Sequence, residues 1–219
     1  MIRLHHVPLA RSLRVMWLLE ELGLDYEVAY YSIRDGSMRS PEFLALSPAG
    51  RVPVLEHQGA VWFESGAIVQ LLCETYPEAG LLPEPGSPER ARALEVFAYA
   101  ETVGCLLENL NLNQVFLRPP AQPSTAVIKL LNARLRASLA AMEARMEGDY
   151  LLATGFSAAD VMFAYGFELA RYYVELDAYP RLMAYWGRLR ARPAYIRAKA
   201  RDGEQDIYIQ EFYPVPEGA

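Results

Sequence analysis

The chain has 219 residues, of which 53% are hydrophobic and 22% are charged. This is enough apolar material for one large domain or two modest ones, and it excludes an intrinsically disordered chain. The 27 acidic residues outnumber the 21 lysines and arginines, which gives a formal net charge of −6. A negative balance predicts no general attraction to nucleic acid or to an anionic membrane.

The first 80 residues alternate between patterns typical of strands and of helices. Strands are predicted over 2–6, 27–31, 52–57 and 60–63, and helices over 11–23, 40–48 and 65–77. Ser65 is the predicted N-cap of the third helix. The order βαβαββα predicts a small mixed sheet with helices packed on it, an α/β domain.

The pattern changes after a segment rich in proline and glycine at 77–89. Every later element has helical periodicity: 88–118 with Ser87 as N-cap, 124–147, 157–174, 180–191 and 193–201. Ser157 and Asp160 have the spacing of a capping box at the third of these helices. The predicted domains are therefore an α/β domain at 1–80 and an all-helical domain at 87–208.

Cysteines and charge clusters indicate no further class of site. Cys73 and Cys105 form no CxxC motif, and the spacing of metal ligands is absent, so we expect no metal. No apolar stretch approaches 18 residues, which predicts a soluble cytoplasmic protein without a membrane partner. The basic residues between 188 and 201 are interpreted as a solvated helix face.

Two features of the stretch from 51 to 68 need a physical explanation. Pro53 lies inside a predicted strand, where a proline removes a ladder hydrogen bond, and an X-Pro bond tolerates the cis form. Glu64 and Ser65 stand at the start of a helix, where free backbone N–H groups suit a carboxylate ligand. An edge-strand proline and an ordinary capping serine are the alternatives for these two features.

Five segments in order carry a resemblance to a known family. They are "RSLRVMWLLEELGLDYE" (11–27), "SPAGRVPVLE" (47–56), "ESGAI" (64–68), "FSAAD" (156–160) and "RPAYIRA" (192–198). Along nearly its whole length the chain resembles the cytosolic glutathione S-transferases, of the bacterial, serine-dependent kind. The resemblance implies a thioredoxin-like N-terminal domain, an all-α C-terminal domain, glutathione as co-substrate and a homodimer.

The resemblance also implies which residues bind glutathione. A cis Pro53 would turn the backbone of Val52 toward the cysteinyl part of the tripeptide. Ser65 would bind the γ-glutamyl carboxylate and Glu64 its ammonium group. Arg51 would pair with the glycyl carboxylate, an arrangement that a guanidinium can make with two parallel hydrogen bonds.

The turn between the first strand and the first helix is the predicted catalytic segment. An ordinary cysteine thiol has a pKa of about 8.5, so the enzyme must stabilise the thiolate, which is the nucleophile. Ser12 carries the only hydroxyl or thiol between residues 5 and 15, and it is the catalytic candidate. Arg11, as a nearby cation, is the alternative, and a mere helix cap is the alternative for Ser12.

The second substrate is expected between this turn and the first helix of the helical domain. The candidate lining residues are Leu9, Tyr99, Cys105, Asn109 and Asn113. Glu101 is the candidate for a contact with glutathione across a dimer interface. The predicted activity is conjugation of the glutathione thiolate to small, largely apolar electrophiles. A glutathione-dependent peroxidase, dehalogenase or ether-cleaving enzyme and a non-catalytic binding or regulatory protein are the alternatives.

Overall fold

The computed structural model describes residues 1–216. Its sheet has four strands, β1 Arg3–His6, β2 Glu27–Tyr30, β3 Val54–His57 and β4 Ala60–Phe63, in the spatial order β2-β1-β3-β4. Strand β1 pairs in parallel with β2, while β3 is antiparallel to both β1 and β4. The predicted mixed sheet is confirmed, with each strand within two residues of its expected ends.

Eight α-helices accompany this sheet in the described part of the chain. They are α1 Ser12–Glu21, α2 Pro41–Leu46, α3 Ser65–Thr75, α4 Pro88–Asn111, α5 Thr125–Arg145, α6 Ala158–Ala170, α7 Pro180–Arg190 and α8 Pro193–Asp202. The predicted βαβαββα order and the helical region after it are confirmed. None of these helices is long and apolar enough to cross a bilayer.

The described chain forms two compact units. The first unit contains residues 1–83 together with 190–206, and the second contains 84–189 and the tail from 207. Helix α8, which the sequence groups with the helical region, therefore belongs to the first unit. The domain limits of 1–80 and 87–208 stay a prediction.

Charge pairing and aromatic packing explain why α8 lies with α1. Arg192 Nε lies 2.7 Å from a carboxylate oxygen of Glu21, and Arg197 Nε lies 2.7 Å from one of Glu20. The ring centroids of Trp17 and Tyr195 are 4.9 Å apart in an edge-on arrangement. The interpretation as a solvated face does not hold for Arg192, which is half-buried against Glu21, whereas Arg197 is exposed and agrees with it. Sequence patterns cannot identify these partners on α1.

Two helix ends are placed differently from the prediction. Glu64, with φ of 72°, is the N-cap residue of α3, and Ser65 is its first helical residue without a capping bond. Helix α4 ends at Asn111 and continues as a π-helical turn, Leu112–Phe116, instead of running as α-helix to 118. The amide of Asn113 donates to the carbonyl of Asn109 at 3.0 Å, and such side chains compete with the backbone for its acceptors.

Two predicted helix starts are confirmed by their hydrogen bonds. The Ser87 hydroxyl accepts from the N–H of Arg90 at 3.0 Å at the start of α4. At α6, the Asp160 carboxylate accepts from the N–H of Ser157 at 2.7 Å, and both halves of the capping box are present. Asp160 also accepts from the N–H of Leu151 at 3.0 Å, so the box ties the preceding loop to the helix.

Helix α6 forms the centre of the second unit. All its residues are buried, and it packs along α4. Gly166 permits this approach, because a Cβ atom at its position would lie 3.0 Å from Cγ1 of Val103 on α4. The close contact explains why a weak helix former stands in the middle of a buried helix.

Candidate functional site

The register of the sheet brings three separate chain segments to one edge. His5 of β1 lies opposite Val54 of β3, and Val54 lies opposite Phe63 of β4. Because both pairings are antiparallel, the residues that follow β1, precede β3 and follow β4 lie at the same end of the strands. We call this end the site edge. It holds the segments 7–12, 51–53 and 64–65. These contain every predicted catalytic and glutathione-binding residue except Glu101, the candidate for a contact across the dimer interface.

The first segment is the β1–α1 turn, residues 7–11. The N–H of Ala10 donates to the carbonyl of Val7 at 3.1 Å, which closes the turn. Leu9 has φ of 59°, in the left-handed region that non-glycine residues seldom occupy, and it is buried. The turn therefore has a specific backbone shape that surrounding contacts must hold.

The predicted catalytic hydroxyl of Ser12 lies on the inner side of this turn. Ser12 is fully buried, and its Oγ accepts from the N–H of Val7 at 3.3 Å and donates to the carbonyl of Val7 at 3.4 Å. Both distances are longer than is usual for hydrogen bonds of these types, so the contacts with Val7 are weak and the catalytic role of Ser12 stays a prediction. Arg11 is half-buried and occupies the N-cap position of α1.

The second segment is the start of α3, where a buried charge lies beneath Ser65. Nη1 of Arg14 donates to Oγ of Ser65 at 3.0 Å, and both side chains are buried, Arg14 completely. The hydroxyl proton of Ser65 is therefore directed elsewhere and is available to a ligand. The guanidinium and the N-terminus of α3 both favour negative charge at this point.

Arg14 was missed by the sequence reasoning. The available signal was a charged residue within an otherwise apolar stretch of α1, because residues 13 and 15–19 are all hydrophobic and all buried. A fully buried arginine requires a partner, and periodicity alone does not identify which partner.

Glu64 has the geometry expected of a ligand contact. Its side chain is exposed, and its backbone lies at φ 72° and ψ 110°, outside the common regions. Such strain is found preferentially at functional sites, where the surrounding structure maintains it. The carboxylate is accessible beside the positive start of α3, so it can meet a cationic group next to a bound carboxylate.

The third segment is the approach to β3. The Val52–Pro53 bond is cis, as expected, Val52 is half-buried, and Arg51 is exposed. The buried Ser47 holds this loop, because its Oγ donates to the carbonyl of Arg51 at 2.9 Å and accepts from the N–H of Arg51 at 3.1 Å. Ser47 is a second positioning residue that the sequence reasoning did not single out.

The candidates for the second-substrate pocket on α4 and on the π-helical turn that follows it lie on two faces of this helical segment. The Tyr99 hydroxyl donates to the carbonyl of Ser138 on α5 at 3.0 Å, so its polar end is engaged there. Cys105 is exposed, and its carbonyl accepts from the Asn109 amide at 2.8 Å. Cys105, Asn109 and Asn113 form one stripe at four-residue spacing. Leu9 belongs to the first unit. Glu101 is half-buried on α4.

The described residues contain no candidate metal-binding site. Residues 1–216 contain no group of three or more histidine, cysteine, aspartate or glutamate side chains placed to hold an ion. The polar groups at the site edge are instead hydroxyls, backbone amides, guanidinium groups and one exposed carboxylate. This set suits a zwitterionic organic ligand with carboxylates.

Comparisons with known proteins agree with this arrangement. The family model of the glutathione S-transferase N-terminal domain matches residues 1–74. Glutathione S-transferase 3 of Zea mays is 30% identical over 215 residues, which cover 91% of this chain and 93% of the maize protein.

Solved structures extend the likeness to the helical region. A glutathione transferase from Methylococcus capsulatus is 30% identical with a TM-score of 0.80, and the match covers 92% of this chain and 98% of that one. A sphingomonad glutathione S-transferase, solved in complex with glutathione, is 25% identical with a TM-score of 0.78, and the match covers 91% and 98% of the two chains. The chain therefore belongs to the glutathione S-transferase family.

Proposed function

We propose that the protein is a cytoplasmic glutathione transferase, which binds glutathione at the site edge and joins its thiolate to a small, largely apolar electrophile. The observation that carries the proposal is the buried Arg14–Ser65 pair at the start of α3. Family membership and the sphingomonad complex with glutathione support the same ligand.

The γ-glutamyl group is assigned to the start of α3. Its carboxylate accepts from the free backbone N–H groups there and from the Ser65 hydroxyl, whose oxygen is already engaged by Arg14. Its ammonium group pairs with the exposed Glu64. The buried guanidinium strengthens the selection of a carboxylate because it cannot lose its charge.

The rest of the tripeptide follows the approach to β3. The cysteinyl backbone pairs with the N–H and carbonyl of Val52, and the glycyl carboxylate pairs with Arg51. Ser47 supports this contact by fixing both backbone groups of Arg51. The cysteinyl sulfur then lies toward the β1–α1 turn, because that turn shares the site edge.

Thiolate formation is assigned to the start of α1. Lowering a thiol pKa by two units requires about 2.7 kcal/mol of preferential stabilisation of the anion. Arg11 supplies a cation at this point, and the N-terminus of α1 adds favourable partial charge. The engagement of the Ser12 hydroxyl with Val7 supports Arg11 over Ser12, and catalysis by Ser12 remains the alternative.

The conjugation step itself needs little from the protein beyond position. After the thiol proton is lost to solvent, the sulfur electron pair forms a bond to the electrophilic carbon, and a leaving group departs with its own electron pair. Leu9, Tyr99, Cys105, Asn109 and Asn113 remain the proposed contacts of the electrophile. Glu101 remains the proposed contact with glutathione across the dimer interface.

A homodimer is part of the proposal. Strand β4 is an edge strand with exposed apolar side chains: Val61 is 43%, Trp62 41% and Phe63 57% exposed. Exposed apolar edge strands are prone to pairing with other chains, so natural proteins cover them.

Light scattering at micromolar protein should give twice the 24.6 kDa chain mass, and the monomer mass would contradict the dimer.

The proposed activity predicts turnover in a panel of glutathione-dependent assays. Purified protein with glutathione should conjugate an activated aryl chloride faster than the uncatalysed reaction at neutral pH. A hydroperoxide arm distinguishes a peroxidase, and halide release from an alkyl halide distinguishes a dehalogenase. Folded protein that binds glutathione but shows no turnover in any arm would instead indicate a binding or regulatory protein.

Ser65→Ala should weaken glutathione binding by about 1–3 kcal/mol, because a charged carboxylate loses a hydrogen-bond donor. The measurement is calorimetric titration with glutathione. The matched control is Ser87→Ala, which removes a hydroxyl at the start of α4 and should lower stability by about 0.5–2 kcal/mol. The control should keep the affinity of the wild type, and an equal loss of affinity in both variants would contradict the assigned site.

Arg11→Ala should raise the pH midpoint of bound thiolate by about one unit, because a nearby cation favours the charged form. Ultraviolet absorbance of the thiolate against pH measures this midpoint, and Arg11→Lys should restore most of the shift. Ser12→Ala should leave the midpoint unchanged but lower stability by about 1–3 kcal/mol, because two buried groups of Val7 lose a partner. The opposite result, a raised midpoint in Ser12→Ala alone, would assign catalysis to the hydroxyl.

A further inference from the structure

We propose that Asp202, at the end of α8, is a positioning residue that holds the β1–α1 turn in the shape needed to receive the thiol of glutathione. The proposal rests on the proposed function, because it concerns the same reaction. Asp202 lies 190 residues or more from this turn in the sequence. Among the proposed ligand contacts it meets the backbone N–H of Leu9, whose side chain is a proposed contact of the electrophile. Its effect on chemistry would pass entirely through the backbone of the turn.

The Asp202 side chain joins three parts of the first unit. Its Oδ1 accepts from the N–H of Leu9 at 3.0 Å and lies 3.2 Å from Nε2 of His6. Its Oδ2 lies 2.6 Å from Nζ of Lys199, one turn earlier on α8. His6 ends β1, Leu9 is in the turn, and both are buried with Asp202.

His6 reinforces this connection through the backbone. Its Nε2 lies 2.9 Å from the carbonyl oxygen of Asp202, and a carbonyl can only accept, so this nitrogen carries the proton. The imidazole is fully buried. The end of β1 is therefore bound to both the main chain and the side chain of Asp202, and the turn starts from a fixed point.

An aspartate is unfavourable at this position unless its contacts compensate for the placement. A carboxylate at the C-terminal end of a helix opposes the helix dipole, and its burial disfavours the charged form. Burial by itself raises the pKa of Asp202, but the His6 hydrogen bond and the Lys199 ammonium hold that pKa below its ordinary value. The carboxylate is thus ionised at neutral pH and is a strong acceptor for the Leu9 N–H.

Attachment of α8 to α1 does not by itself explain Asp202. That attachment already has three ion pairs, one between Arg192 and Glu21 and two that join Arg197 and Arg201 to Glu20. Asp202 adds a contact of a different kind, a hydrogen bond that it accepts from the N–H of Leu9 in the turn. Leu9 has the left-handed backbone conformation, and this conformation sets the direction in which Ala10, Arg11 and the first turn of α1 continue.

Loss of the carboxylate removes the acceptor that stabilises this strained backbone. Leu9 can then relax toward an ordinary negative φ, which turns the following residues away from the site edge. The segments that bind the rest of glutathione, 51–53 and 64–65, do not depend on Asp202. Thiolate stabilisation should therefore weaken while glutathione binding persists, a split that a merely structural role would not produce.

The test compares Asp202→Ala and Asp202→Asn with the matched control Arg192→Met. Asp202→Ala should raise the pH midpoint of bound thiolate by about one unit and lower kcat near neutral pH about tenfold, with KM for glutathione within about twofold. Asp202→Asn keeps an oxygen acceptor for the Leu9 N–H, so its shift should be about half as large. Arg192→Met loses an ion pair of α8 and should change only Tm.

The outcomes separate this inference from the proposed function. A wild-type protein that binds no glutathione by calorimetry contradicts the proposed function itself. If the wild type shows the thiolate band and Asp202→Ala has the same pH midpoint as the wild type, only the role of Asp202 is overturned, whatever the change in Tm. If Asp202→Ala does not fold, the test uses Asp202→Asn. A thiolate midpoint of Asp202→Asn within about 0.2 unit of the wild-type value overturns the inference. An equal shift in Arg192→Met would also overturn it, because any loosening of α8 would then suffice.

Discussion

The pairing of β3 between β1 and β4 is the constraint on which the candidate site depends. Both pairings are antiparallel, and their registers place the end of β1, the start of β3 and the end of β4 side by side. Three segments that are distant in the sequence thereby meet at one edge. A shift of one strand by one residue would move its side chains to the opposite face and would displace the segment attached to its end. The buried residues Leu4, Val54 and Leu55 resist such a shift.

Two buried charges then give this edge its chemistry. Arg14 lies under the start of α3 and Asp202 under the β1–α1 turn, and both are removed from solvent. An isolated buried charge is strongly destabilising, so each is tolerated only with hydrogen-bonding partners. Arg14 meets Ser65, while Asp202 meets Leu9, His6 and Lys199. In both cases the charge acts on a group at the site edge.

Local sequence patterns were sufficient for most elements of the fold. The strands follow from short β-branched and apolar runs, and the helix starts at Ser87 and Ser157 follow from capping chemistry that involves neighbouring residues only. The cis bond before Pro53 was expected from the family resemblance, and it is present. The end of α4 was predicted too late, because side-chain amides at Asn109 and Asn113 compete for backbone carbonyls and a π-helical turn replaces the last α-helical turns.

The sequence by itself determined the family, the order of the elements and the segments that form the site, because each depends on residues close together in the chain. Only the tertiary structure decided which way the polar groups point. The Ser12 hydroxyl engages Val7, Arg14 reaches Ser65 across 51 positions, and Asp202 reaches Leu9 across 193. The last two are pairings between residues distant in the sequence, and periodicity and propensity carry no information about the partner of a buried polar group. The burial that makes such a partner necessary arises only when the helices and the sheet have packed.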